Sequence, residues 1–98
     1  RKIWCFYRCK TPEEYLFREE LEQVAKTWKN FSLIPSVSNP TPEWKHETER
    51  IQSIIAKYIK VPSAVDCYIC GPPPMVKDVL EELPKLGYPP EALHKEAW

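Results

Sequence analysis

An apolar run cut off by glycine and proline fixes one element of this chain and, through it, the architecture. Ala64-Val65-Asp66-Cys67-Tyr68-Ile69-Cys70 stops at Gly71-Pro72-Pro73-Pro74, and a helical pattern begins at Met75. A strand that ends in a Gly-Pro turn and feeds a helix leaves its last residue at the carboxyl edge of a sheet, where open α/β folds bind ligands. Here that last residue is Cys70.

The remaining elements repeat the pattern. Lys2 to Tyr7 is aromatic and β-prone and reads as a buried strand. Thr11-Pro12-Glu13-Glu14 has the form of a helix start, with Thr11 as cap, Pro12 at the first position and Glu14 completing a capping box. Phe17, Leu21, Val24 and Trp28 follow as one apolar stripe, with Phe17 and Trp28 expected in the core. After the break at Lys29-Asn30, Phe31 to Val37 reads as a second strand, and Pro35 suits an edge. Glu47 to Lys60 carries Ile51, Ile54, Ile55, Tyr58 and Ile59 on one helical face. Ala64 to Cys70 is the third strand, and Met75 to Leu86 a helix with Val76, Val79, Leu80 and Leu83 inward. Pro84 should kink or end that helix, and Gly87 fits its cap. Leu93 to Trp98 is a short last strand. The order β-α-β-α-β-α-β predicts an α/β fold, three-layer α/β/α with a parallel sheet and right-handed crossovers.

Composition narrows the function classes. Fourteen basic and fourteen acidic side chains cancel, with no basic stripe, which argues against nucleic acid and anionic membranes as partners. The apolar runs are too short to insert in a bilayer, and no signal peptide is visible. The expected location is cytoplasmic. The four cysteines admit a tetrahedral zinc site built on Cys67-x-x-Cys70 with Cys5 and Cys9. Positions three apart on a strand point to opposite faces, however, so buried thiols are the reading for Cys5 and Cys67, and no metal is expected. Without a secretion signal, disulfides are not expected. His46 and His94 read as surface side chains.

With these residues in place, the chain resembles the NAD(P)-binding domain of the ferredoxin–NADP reductase superfamily. It is most similar to reductase components that pair an FAD domain with a [2Fe–2S] domain, such as oxygenase reductases and the flavin subunit of sodium-translocating NADH:quinone reductases. The specific part is Cys70-Gly71-Pro72-Pro73-Pro74-Met75 followed by Leu80 and Leu86-Gly87; the ending His94-Lys95-Glu96-Ala97-Trp98 resembles the family's terminal acid and aromatic. The resemblance runs almost end to end, so residues 1–98 are expected to be one NAD(P)-binding domain, incomplete at its N-terminus.

The resemblance implies a role for each matched position. Cys70 would lie beside the nicotinamide C4 and flavin N5, orienting the rings for hydride transfer without acting as a nucleophile. Glu96 corresponds to an acid near the same rings, and Trp98 to an aromatic close to the isoalloxazine. Gly71 would let the dinucleotide approach the backbone, while Pro72, Pro73 and Met75 shape the nicotinamide–ribose pocket. Lys10 and Ser38 sit where relatives contact the ribose or phosphates of the adenosine half. The cofactors implied are NAD(P)H, with NADH preferred because Ser38-Asn39-Pro40 lacks a following arginine, and FAD held by a separate domain. The implied partners are that FAD-binding domain and a [2Fe–2S] domain of the parent protein. A quinone reductase subunit would work at the cytoplasmic face of a membrane.

Two departures temper the resemblance. Relatives open this domain with a strand and a Gly-x-Gly-x-x-Pro turn that receives the pyrophosphate, and this chain starts after that unit. The absent strand is the centre of the family sheet. Its neighbours, at Lys2 and at Ala64, are left to take another piece of polypeptide, to close the gap, or to pair two chains as a dimer through exposed sheet edges. Second, relatives carry glycine at the positions of Arg8, His46 and Glu49, so side chains there would crowd or re-aim loops. Both departures support an alternative, a non-catalytic degenerate or interaction domain that keeps the fold. The isolated chain is expected to be inactive.

Overall fold

The computed structural model describes residues 2–14 and 18–97. Four strands form one parallel sheet: β1 (Lys2–Cys9), β2 (Phe31–Val37), β3 (Val65–Gly71) and β4 (Leu93–Ala97). Three helices connect them, α1 (Arg18–Thr27), α2 (Ile51–Tyr58) and α3 (Pro73–Glu82). The spatial order is β2-β1-β3-β4. β1 and β3 pair directly, with Lys2 opposite Val65 and Tyr7 opposite Cys70. Both central strands are thus hydrogen-bonded on each side.

The two sheet faces are covered unequally. Trp4 and Phe6 of β1, Ile34 of β2 and Val65, Cys67 and Ile69 of β3 pack against Ile51, Ile54 and Ile55 of α2 and Val76 and Val79 of α3. The β3 burial pattern alternates, as a strand with side chains on two faces requires. Full burial of each large apolar side chain contributes about 1.5–3 kcal/mol, so this face dominates the stability. The opposite face holds a smaller cluster of Tyr7, Cys9 and Val37, with Leu21 of α1, Leu33, Trp44 and Cys70 against it.

Several expectations shift in detail. Trp28 is not core: it is 64% exposed and Val24 is 37% exposed. α1 lies on β2, an edge strand, and Leu21 alone of that stripe's described residues joins the cluster beneath it. The next turns run beyond the sheet's cover. Phe17 and Trp98 lie outside the described residues. The capping box is displaced by one residue: Glu14 Oε2 accepts from the Lys10 amide at 3.3 Å, and Pro12–Glu14 forms a separate 3-10 turn. α2 begins at Ile51 rather than Glu47, because Glu47 bridges to Ser36 of β2 and Arg50 is extended. α3 begins at Pro73 rather than Met75, and its C-terminal end tightens into a 3-10 turn over Leu83–Leu86 that contains Pro84. Gly87 closes that turn with φ 98°, and its amide donates to the Leu83 and Pro84 carbonyls. Pro35 does sit on an edge strand.

Truncation should report this asymmetry. Ile69→Ala, at a fully buried site, is expected to lower stability by about 2–5 kcal/mol. Trp28→Ala should change it by no more than about 0.5 kcal/mol. Urea unfolding of both variants checks the contrast.

Candidate functional site at the carboxyl edge of the sheet

All four strands run parallel, so their C-terminal ends share one edge. That edge gathers Lys10 after β1, Ser38 after β2 and Cys70-Gly71 at the end of β3, with Glu96 opposite Cys70 in register. The loops after β1 and β2 run side by side. The Ser38 amide donates to the Cys9 carbonyl at 3.2 Å and the Asn39 amide to the Lys10 carbonyl at 2.7 Å. Lys10 and Ser38 therefore lie on adjacent loops, Lys10 after the strand next to that of Cys70 and Ser38 one strand further away. Trp98, expected against an aromatic ring, falls outside the described residues.

Gly71 is required by the protein's own packing. A Cβ there would fall 2.8 Å from the Arg8 carbonyl oxygen and against Met75 Cε. The proline run after it has a chemical consequence. Pro72, Pro73 and Pro74 carry no N–H, and the Val76 amide already donates to the Pro72 carbonyl at 3.1 Å. Met75 is the first residue of α3 with an N–H to offer. A helix N-terminus receives phosphate through such groups, so this terminus is poorly suited to a phosphate.

The cysteines separate by face. Cys70 is half-buried and its Sγ lies 3.9 Å from Cys5 Sγ. Hydrogen bonding to Cys70 and burial push the Cys5 thiol far above its usual range. Cys67 packs in the main core on the other side of the sheet, and burial pushes its thiol up to about 11. Cys9 is also raised to about 11, by burial and by Glu14. The four-sulfur arrangement is thus not assembled; among the described residues no three or more metal-ligating side chains converge. His46 is exposed and edge-on to Trp44 at 5.0 Å, and His94 stacks on Tyr68 at 4.6 Å.

Arg8 is the residue whose role the sequence did not give. Opposite Ser36 in register, its Nη1 donates to Ser36 Oγ and to the Glu49 carbonyl, each at 2.5 Å, and to the Thr48 carbonyl at 3.4 Å. Ser36 is fully buried and donates in turn to the Glu49 carbonyl at 2.6 Å. Desolvation, and then the nearby Arg50 charge, lower the Arg8 pKa from its ordinary value. Arg8 and the Glu49 backbone therefore meet, and this contact pins the segment before α2. The Glu49 carboxylate pairs with Lys57 at 2.5 Å, so its charge is compensated.

Known proteins resemble the chain along nearly its whole length. A family model described as an oxidoreductase NAD-binding domain matches residues 1–81. One subunit of the Na(+)-translocating NADH-quinone reductase of Klebsiella pneumoniae is 36% identical over 93 residues, covering 89% of this chain and 23% of the relative. NADH-cytochrome b5 reductase 1 of Lodderomyces elongisporus is 36% identical over 90 residues, covering 89% and 30%. Among solved structures, the CS-b5R domains of human Ncb5or in the NAD+ form superpose with a TM-score of 0.76 at 25% identity, over 97% of this chain and 28% of that one. The cytochrome b5 reductase domain of Ulva prolifera nitrate reductase gives 0.72 at 27% identity, over 93% and 37%. The chain thus spans under a third of the length of these two curated relatives.

Two substitutions test the site's construction. Ser36→Ala leaves the Glu49 carbonyl and Arg8 each short of a partner and should cost about 1–3 kcal/mol, with faster amide hydrogen exchange at the segment 47–50. Gly71→Ala must displace Met75 or the Arg8 backbone and should cost about 1–3 kcal/mol; denaturant unfolding measures it.

Proposed function

Because this chain belongs to the oxidoreductase NAD-binding domain family, we propose that it is the nicotinamide-dinucleotide-binding portion of a flavin-dependent NAD(P)H oxidoreductase. In that reading hydride passes from NAD(P)H to FAD and on to an electron acceptor, with FAD held by a separate domain. A [2Fe–2S] domain of the same parent is the onward partner, and the complex works in the cytoplasm or at the cytoplasmic face of a membrane. Within the chain, no described helix is long and apolar enough to cross a membrane.

The observation that carries the proposal is the end of β3: a half-buried thiol, a glycine without room for a side chain, and a helix start whose prolines leave Met75 as the first N–H donor. That end suits an uncharged ring, and the loops bearing Lys10 and Ser38, one and two strands away, suit the phosphate-bearing half. When bound, the nicotinamide and flavin supply the hydride chemistry. The chain's part is position. Cys70 holds the ring's face from the strand end, as an orienting thiol rather than a nucleophile. Gly71 keeps the backbone accessible beside it, while Pro72, Pro73 and Met75 fix the wall. Glu96, opposite Cys70 in register, supplies the acid near the rings, and Trp98 the aromatic cover. Lys10 offers a cation and Ser38 a hydroxyl to the ribose and phosphates. The names of the relatives, NADH-quinone and NADH-cytochrome b5 reductases, support NADH as the preferred nucleotide.

Titration of the chain with NADH, followed by amide NMR shifts, tests the reading. Shifts are expected at 70–76 and at Lys10 and Ser38. A folded chain whose spectrum does not move at about millimolar NADH, the weak-binding limit, would favour a non-catalytic domain of the same fold. In a full-length reductase carrying this chain, Cys70→Ala should slow hydride transfer about 10- to 100-fold with the fold intact. An unchanged rate refutes the role of Cys70.

A further inference from the structure

We infer that Arg8 is a positioning residue for the adenosine half of the dinucleotide: its guanidinium clasps the loop 38–50 in the arrangement that presents Ser38. The inference rests on the proposed reading of Lys10 and Ser38 as nucleotide contacts. It adds to them a residue that acts through the loop rather than on the nucleotide.

The loop leaves β2 at Val37 and returns beside the same residue. The Val37 amide donates to the Glu47 carbonyl at 3.1 Å, and Ser36 bridges to Glu47. The loop has little burial of its own. From 38 to 50 only Thr41, Trp44 and Glu47 are half-buried, and the other residues are exposed. Trp44 packs against the cluster of Tyr7, Cys9 and Val37, and its Nε1 donates to the Glu47 carbonyl at 2.9 Å. Segments with few buried contacts open at low free energy. The bonds at the return therefore set how readily this one opens.

Arg8 closes that return from the neighbouring strand. Its Nη1 donates to the Glu49 carbonyl and to Ser36 Oγ, each at 2.5 Å, and the buried Ser36 Oγ donates to the same carbonyl at 2.6 Å. β1, β2 and the end of the loop thus meet at one carbonyl oxygen. Bonds from a charged donor are among the stronger ones. The joint sits two residues before Ser38 in the chain. The Ser38 amide donates in turn to the carbonyl of Cys9, the residue after Arg8, at 3.2 Å. The backbone of Arg8 serves the other half of the site. Its carbonyl oxygen lies so close to Gly71 that a Cβ there would come within 2.8 Å. Arg8 therefore packs on the Cys70-Gly71 end with its backbone and holds the loop with its side chain. That fixes the spacing between the ring end and the adenosine end.

The test combines NADH kinetics in a full-length reductase carrying this chain with NADH-induced amide shifts in the chain itself. If loss of the clasp leaves the loop in its binding arrangement about a tenth of the time, apparent affinity falls about 10-fold. Arg8→Ala is therefore expected to raise KM for NADH about 10-fold with kcat unchanged. At saturating NADH its Ser38 shift should shrink while those at 70–76 persist. Ser36→Ala should act alike, and the double variant should be no weaker than either alone, since both remove one joint. Arg8→Lys, which keeps the cation, should recover part of the loss. Leu83→Val, at a fully buried site past the end of α3, should lower stability and leave KM unchanged. Circular dichroism identifies a variant that fails to fold; if that is Arg8→Ala, Ser36→Ala decides by the same readings. An unchanged KM in both, a lowered KM, or an equal rise in Leu83→Val would each overturn the positioning role. A wild-type chain whose spectrum NADH does not move would instead overturn the functional reading, and this inference with it.

Discussion

The direct pairing of β1 with β3 is the constraint on which the rest of the molecule depends. It places Tyr7 beside Cys70 and brings the Arg8 carbonyl over Gly71. It also sets Cys5 and Cys70 on one face, two residues out of register. A parallel sheet is stable only if its inner strands are hydrogen-bonded on both sides and its faces are covered. The first condition is met by closure of the sheet. The second is met fully on the face of α2 and α3, and only in part on the face of α1.

A second dependence runs through Arg8. A long cationic side chain at the end of a central strand would ordinarily reach into solvent. Here it turns along the sheet, shares the buried Ser36 hydroxyl and takes two carbonyls of the segment before α2. Hydrogen bonds to a charged donor are among the stronger ones. The segment is fixed further by Glu47, whose carboxylate accepts from Tyr58 and Lys57 and lies below its ordinary pKa for that reason. Arg8, expected to crowd a loop, is one of the side chains that hold it.

Much of the fold was legible because apolar periodicity and proline placement are local. The edge position of β2 followed from Pro35, and the Gly87 cap from the helix that precedes it. The inward faces of α2 and α3 followed from spacing, with Ile51, Ile54, Ile55, Val76 and Val79 all buried. Trp28 was misread because a helical stripe states which side is apolar, not how far the sheet beneath it extends. The start of α2 was misread because Glu47 is captured by Ser36 of β2, a contact outside its own helical segment. In the candidate site, Cys70 and Gly71 could be found from the strand-to-proline junction. Arg8 could not, since its partners lie on β2 and the following loop.

The sequence alone determined the alternation of strands and helices, the parallel sheet it implies, and the thiol at a strand end before a glycine and three prolines. These follow from steric and hydrogen-bonding properties that each residue carries wherever it sits. Tertiary structure alone decided that β1 and β3 meet, that Gly71 is confined by Arg8 and Met75, that Arg8 anchors the loop before α2, and that Cys5 lies against Cys70. These depend on strand register and sheet closure, which set distances between residues far apart in the chain, and local pattern carries no information about them.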